Sequence, residues 1–187
     1  HTRLQEIMQP PFQPGGRSGE FVSNELTGIA DRLLDAVDPA GFDVMADYAQ
    51  PLSAGTLATV LGLDSYGFDR MWDWCEGLCT DLANFEDDPD LAAIGKRTKA
   101  DLGAVLAKRI AEAGNNGSAI SWFVQNGATP EEIVNNVRLM ISGGINEPRD
   151  GIGLVAWLLL SEPSLASAVD AEPTKMRRLI EEMFRVH

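Results

Sequence analysis

The sequence feature that most constrains the fold is a long helical pattern, which begins at Thr129 and continues to about Leu160. Thr129 and Glu132 have the spacing of a capping box, and Pro130 stands at the first helical position. The pattern covers roughly 32 residues, which corresponds to about 48 Å of α-helix. An element of this length predicts a fold organised around one long central helix.

Apolar residues recur at helical spacing in most of the remaining chain. No stretch of four or more residues alternates as a half-buried strand would. The pattern predicts further helices over about 21–37, 44–62 and 91–113, and shorter ones after Pro163 and around 176–184. We therefore predict an all-α fold, with residues 1–187 forming one unit without repeats.

The composition of the chain excludes several function classes. The 187 residues include 44% hydrophobic and 23% charged side chains, as in folded globular proteins, and carry a formal net charge of −13. Such an acidic surface disfavours binding to nucleic acids and to anionic lipid. The longest apolar stretch, 154–160, falls short of the roughly 20 residues that span a bilayer, and no signal peptide is visible. These features predict a cytoplasmic protein with neither nucleic-acid nor membrane partners.

The two cysteines, Cys75 and Cys79, are spaced four apart and belong to one helix face. They are interpreted as small buried hydrophobic residues of a reducing compartment, since zinc would need more ligands. The rest of this apolar stripe indicates either core packing or part of a substrate pocket. The stripe consists of Phe68, Met71, Trp72, Cys75, Leu78, Cys79 and Leu82.

The regularity of the long helix is expected to break near Pro148, which has no N–H to donate to the carbonyl of Gly144. Because Gly143 and Gly144 precede it, we expect a local kink with a free carbonyl. Glu147 follows these glycines at offsets of four and three, on the same face. A carboxylate beside such a groove is suited to proton relay, whereas the alternative is a kinked core helix with a solvent-facing glutamate.

The segment 142–150, Ser-Gly-Gly-Ile-Asn-Glu-Pro-Arg-Asp, resembles the oxygen-binding groove in the central helix of the cytochrome P-450 family. Aligning Gly144 with the family's glycine puts Asn146 at the usual acid and Glu147 at the usual alcohol. The resemblance implies that Glu147, with Asn146 and the carbonyl of Gly144, delivers protons. It also implies that Gly143 and Gly144 lie against the haem.

Two further segments carry the resemblance. Glu182 and Arg185 resemble the Glu-x-x-Arg pair that precedes the haem loop in this family, where its role is structural. His1 and the residues after it resemble the start of the helix that contacts the haem propionates, although Gln5 replaces the usual arginine. The resemblance also implies that Trp72, Cys75 and Met140 line the substrate pocket.

The resemblance implies a haem-dependent monooxygenase that hydroxylates or dealkylates a small organic substrate. Its cofactor would be haem b, and its electrons would come from a ferredoxin and reductase or from a fused reductase domain. We expect the chain to be an internal fragment of that enzyme, inactive alone, because the axial cysteine is not among its residues. The alternatives are a non-catalytic all-α ligand-binding module and a structural helical bundle.

Overall fold

The computed structural model describes residues 2–13, 25–114 and 116–186. Within these ranges the chain forms α-helices and no strand, so the predicted all-α fold is confirmed. The α-helices are α1 (Thr2–Met8), α2 (Thr27–Ala36), α3 (Gln50–Leu61), α4 (Gly67–Leu82), α5 (Pro89–Ala111), α6 (Ala119–Gln125), α7 (Pro130–Gly144), α8 (Asn146–Ser161), α9 (Pro163–Ala171) and α10 (Lys175–Val186). Short 3-10 helices cover Pro10–Phe12 and Asp64–Tyr66, and a π-helical segment covers Val44–Ala49.

The long helical pattern forms α7 and α8, which are separated only by Ile145. The capping box is present: the Thr129 hydroxyl accepts the N–H of Glu132 at 3.2 Å, and the Glu132 carboxylate accepts the N–H of Thr129 at 2.8 Å. The expected interruption is present: it lies at Ile145, directly after Gly144, and Pro148 occupies the first turn of α8. A proline is tolerated there because the first N–H groups of a helix have no intrahelical partner.

The core is formed where α4 packs against α3, α5 and α7. Met71, Cys75 and Leu78 of the predicted apolar stripe are buried. Its two ends were wrongly assigned to the buried face, because Phe68 is 45% and Leu82 63% exposed. Trp74 takes part in the core instead: its indole N–H donates to the Asp101 carboxylate at 2.7 Å, which satisfies the polar end of a buried ring.

Helices α4 and α5 approach each other closely at two glycines. A Cβ added to Gly77 would lie 2.9 Å from the Cβ of Thr98, and one added to Gly95 would overlap the side chain of Asp81. Asp81 also forms an ion pair with Lys99 of α5. Because neither glycine has a side chain, the two helix backbones are held nearer than alanines would permit.

Helix α6 is an element that the sequence analysis did not predict. It follows the glycine-rich segment that ends α5, and the Ser118 hydroxyl caps it by accepting the N–H of Ser121 at 3.2 Å. Phe123 of α6 is fully buried in the core. The Trp122 indole N–H donates to the carbonyl of Ile7 at 3.0 Å, which ties α6 to α1.

The other predicted helices are present with shifted ends. The helix predicted over 21–37 is described from residue 25, and its first four residues lie outside the described residues. The helix predicted over 44–62 divides into the π-helical segment and α3, with Pro51 in the first turn of α3 as expected. Among the described residues, no single helix is long and apolar enough to cross a membrane. The stretch 130–161 and α9 meet those criteria only as a pair bent by 104°.

Candidate functional site

The interrupted turn at Ile145 is the centre of the candidate site. Ile145 is fully buried, with φ −109° and ψ −47°, and it joins α7 to α8. Its carbonyl oxygen accepts the Ser53 hydroxyl at 2.7 Å and the N–H of Arg149 at 3.2 Å. The interruption between α7 and α8 is therefore stabilised by a side chain of α3, 92 positions away in the sequence.

Glu147 and Gly143 lie on one exposed face of this turn. A Cβ added to Gly143 would be 3.8 Å from a carboxylate oxygen of Glu147, so the carboxylate stands beside the bare backbone of Gly143. Gly144 faces α3, where an added Cβ would lie 3.4 Å from Leu57. The structure thus brings Glu147 and Gly143 together and turns Gly144 toward the packed interior.

The side chain of Asn146 is directed to α4. Its amide N–H groups donate to the sulfurs of Cys75 at 3.4 Å and Cys79 at 3.3 Å. The Cys79 thiol in turn donates to the carbonyl of Ser142 at 3.4 Å. Asn146 and Glu147, which were predicted to act together, therefore lie in different surroundings: Asn146 contacts the two cysteine sulfurs of α4, whereas Glu147 is exposed.

The predicted substrate-pocket residues occupy three different environments. Trp72 is half-buried, and the guanidinium of Arg149 lies 4.8 Å from the centroid of its indole ring. Arg149 is also paired with Asp150 at 2.6 Å. Met140 is half-buried, packed against the core, whereas Cys75 is fully buried within it.

Burial raises the pKa of the Cys75 thiol from 9.0 to about 12, and the neighbouring Cys79 contributes to the rise. The folded protein therefore retains this proton above pH 9, where the unfolded chain loses it. Stability from this group is complete below pH 9 and is lost as the pH rises from 9 toward 12, by up to about 1.4 kcal/mol per pH unit.

We expect the free energy of unfolding to fall less steeply above pH 9 in Cys75→Ala than in the unchanged protein. Urea denaturation between pH 7 and 10.5 measures both slopes. The difference in slope between the two proteins reports the contribution of Cys75 together with its interaction with Cys79. Identical slopes would contradict the raised pKa.

The remaining predicted site residues lie near the ends of the chain. Glu182 and Arg185 of α10 form the expected pair, with the Arg185 Nε donating to the Glu182 carboxylate at 2.8 Å, and both side chains are exposed. That ion pair lowers the pKa of Glu182. His1, the predicted propionate ligand, lies outside the described residues. No group of three or more potential metal ligands occurs in the part of the chain that the structure describes.

Two residues of this arrangement were not identified from the sequence. Ser53 contacts the interrupted turn from α3, and no local motif marks a single helical serine as the partner of a carbonyl so distant in sequence. Arg149 belongs to the quoted segment 142–150, but its contact with Trp72 depends on the packing of α8 near α4. The spacing of Cys75 and Cys79 did indicate a shared face, although not its contact with Asn146.

The residues present fit a haem group in one respect and not in another. The exposed backbone at Gly143, with no side chain and with a carboxylate beside it, permits the close approach of a flat ring. In the family that the sequence resembles, the axial ligand of the haem is a cysteine thiolate. Cys75 does not suit that role, because its thiol is fully buried, is held protonated and accepts the Asn146 amide.

Comparison with known proteins finds relatives along nearly the whole chain. No protein-family model matches. The chain is 26% identical to cytochrome P-450 FAS1 of Rhodococcoides fascians over 189 residues, which cover 99% of the chain and 46% of that protein. It is also 26% identical to the mycinamicin VIII C21 methyl hydroxylase of Micromonospora griseorubida, over 100% of the chain and 48% of that protein.

Solved structures show the same fold. CalO2 matches with a TM-score of 0.88 at 21% identity, over 99% of this chain and 48% of that one. Ligand-free cytochrome P-450 TbtJ1 matches with a TM-score of 0.83 at 24% identity, over 99% of this chain and 50% of that one. The chain spans about half the length of the relatives it matches. In sequence and in fold, the chain is therefore similar to the helical half of cytochromes P-450.

Proposed function

We propose that the protein to which this chain belongs is a haem-dependent monooxygenase, which hydroxylates or dealkylates a small organic substrate with O2 and two electrons. The observation that carries the proposal is the carboxylate of Glu147, beside the exposed backbone of Gly143 at an interruption of the long helix. The name of one relative, a methyl hydroxylase, agrees with this reaction class.

In this proposal residues 1–187 form the helical portion of a larger domain that holds haem b. Gly143 lies against the ring, Gly144 sets the distance between the long helix and α3, and His1 donates to a propionate. When bound through a cysteine thiolate supplied from outside these residues, the haem provides the redox chemistry that activates O2. The chain alone, without that thiolate, would be inactive.

Glu147 is the residue to which we assign proton delivery. Its carboxylate is exposed, so it exchanges protons with water, and it stands next to the face of Gly143 where the haem would lie. Asn146 does not share this position, because its amide hydrogens are occupied by the sulfurs of α4. We therefore assign Asn146 an orienting role within the turn.

The substrate would be held beneath α4. Trp72 and Met140 are half-buried and offer an aromatic and a flexible apolar contact, while Cys75 supports them from within the core. Arg149 fixes the orientation of the Trp72 ring. A ferredoxin and reductase, or a fused reductase domain, would supply the electrons in the cytoplasm, and the net charge of −13 disfavours nucleic acid or anionic lipid as a partner.

The haem assignment is tested by the absorption spectrum of the full-length protein, reduced and treated with carbon monoxide. We expect the red-shifted Soret band that thiolate ligation produces. A protein that contains no haem, or whose haem shows no such band, would overturn the proposed activity.

The role of Glu147 is tested by Glu147→Gln in the same protein. We expect the variant to bind haem normally and to release most of the consumed O2 as peroxide, because the amide cannot transfer a proton. The measurement is the ratio of peroxide formed to NADPH oxidised. The substrate in this assay is the compound that gives the largest blue shift of the Soret band in a ligand screen. Glu131→Gln, at the far end of α7, is the matched control and should remain coupled. Equal coupling in both variants would exclude Glu147 from proton delivery.

A further inference from the structure

The side chain of Ser53 in α3 forms a hydrogen bond with a residue outside its own helix. It is a buried polar residue in an otherwise apolar segment, since Leu52 and Ala54 on either side of it are buried as well. The other hydroxyls of α3 bond within their own helix: Thr56 donates to the carbonyl of Leu52 at 2.7 Å and Thr59 to that of Gly55 at 2.9 Å. The Ser53 hydroxyl instead leaves α3 and donates to the carbonyl of Ile145 at 2.7 Å.

The carbonyl that Ser53 contacts belongs to Ile145, the residue that separates α7 from α8. A buried carbonyl that lacked a partner would cost free energy, and the N–H of Arg149 satisfies it only at 3.2 Å. Leu57, one turn after Ser53, lies against Gly144 in the same region. Two successive turns of α3 therefore set the position of residues 144 and 145.

The opposite side of the turn is held by α4, through the Cys79 thiol on the carbonyl of Ser142 and through Asn146 on the two sulfurs. The interrupted turn is thus fixed from both sides, by a hydroxyl of α3 and by thiols of α4. Of these partners, the hydroxyl makes the shortest hydrogen bond, and oxygen is a stronger hydrogen-bonding group than sulfur.

We infer that Ser53 is a positioning residue of this site: its hydroxyl fixes the turn at Ile145 and so sets the direction in which Glu147 leaves the helix. Glu147 follows Ile145 by two residues, and a rotation at Ile145 would carry its carboxylate away from the face of Gly143. This inference rests on the proposed function for its effect on catalysis, whereas the hold of Ser53 on the turn does not depend on that function.

The experiment compares Ser53→Ala with Thr56→Val in the full-length, haem-loaded protein. Alanine is the best helix former, so the first variant retains α3. The second removes a hydroxyl of the same helix that touches only its own backbone. Amide hydrogen exchange of residues 142–149 is followed by mass spectrometry, and peroxide per NADPH is measured as for Glu147→Gln.

In Ser53→Ala we expect exchange across 142–149 to quicken by about fivefold, the factor that corresponds to the loss of one ordinary hydrogen bond. Peroxide release should rise in the same variant, while Thr56→Val changes neither quantity. Exchange in Ser53→Ala that matches Thr56→Val would overturn the inference. Faster exchange in Ser53→Ala, together with unchanged coupling of O2 consumption to product in Glu147→Gln, would support the role of Ser53 in fixing the turn. The same result would reject the proposed role of Glu147.

Discussion

Replacing Phe123 with alanine is expected to lower the free energy of unfolding by about 3–5 kcal/mol, the range seen when a buried aromatic side chain is truncated. Phe123 is fully buried, and its ring centroid lies 6.5 Å from that of Phe12. It is among the largest buried side chains of the described residues, so its removal would leave a large cavity in the core.

Urea denaturation, monitored by the helical circular dichroism signal, measures this loss. Phe85→Ala is the matched control, because Phe85 is 89% exposed, and its truncation should change stability by less than about 0.5 kcal/mol. A loss in Phe123→Ala no greater than in Phe85→Ala would mean that α6 does not anchor the core.

Two glycine-to-alanine substitutions within α5 are expected to have opposite effects. At Gly95 an added Cβ would overlap the Asp81 side chain of α4, so we expect overpacking to cost about 1–3 kcal/mol. At Gly103 the nearest atom to an added Cβ is 3.5 Å away, at the end of the flexible Arg138 side chain. There alanine should stabilise the helix by up to about 1 kcal/mol, since glycine is the poorer helix former.

Thermal or urea denaturation of the two variants side by side measures the difference. Because both substitutions lie in one helix and have the same chemistry, their intrinsic helix propensities cancel. Equal effects of the same sign would show that the contact between α4 and α5 at Gly95 does not limit their approach.

Local sequence signals predicted the long elements of this fold well. The capping box at Thr129, the proline after it and the recurring apolar residues of α7 and α8 act within a few positions of one another. The stripe of α4 was located for the same reason, although its ends are exposed where no neighbouring helix covers them. Helix α6 was missed, because its seven residues form only about two turns, which are too few to show a recurring apolar pattern.

The candidate site was predictable only in part, because some of its contacts join residues that are far apart in the sequence. The shared face of Gly143 and Glu147 follows from their spacing in a helix. The position of the interruption follows in part, because Pro148 leaves the carbonyl of Gly144 without its helical partner, and the structure interrupts the helix at the next residue, Ile145. Ser53, whose hydroxyl donates to the carbonyl of Ile145 at that interruption, is 92 positions away in the sequence. No local sequence motif indicates this contact.

The close approach of α4 and α5 has a consequence for how the two helices can move. The side chain of Thr98 packs on the backbone of Gly77, and that of Asp81 packs on the backbone of Gly95. Sliding one helix along the other would therefore bring Thr98 or Asp81 into steric conflict with the neighbouring side chains. The loop 83–88 that joins them is short, and Phe85 within it is almost wholly exposed. A displacement of α4 would therefore carry α5 with it, so that the two helices move as one body.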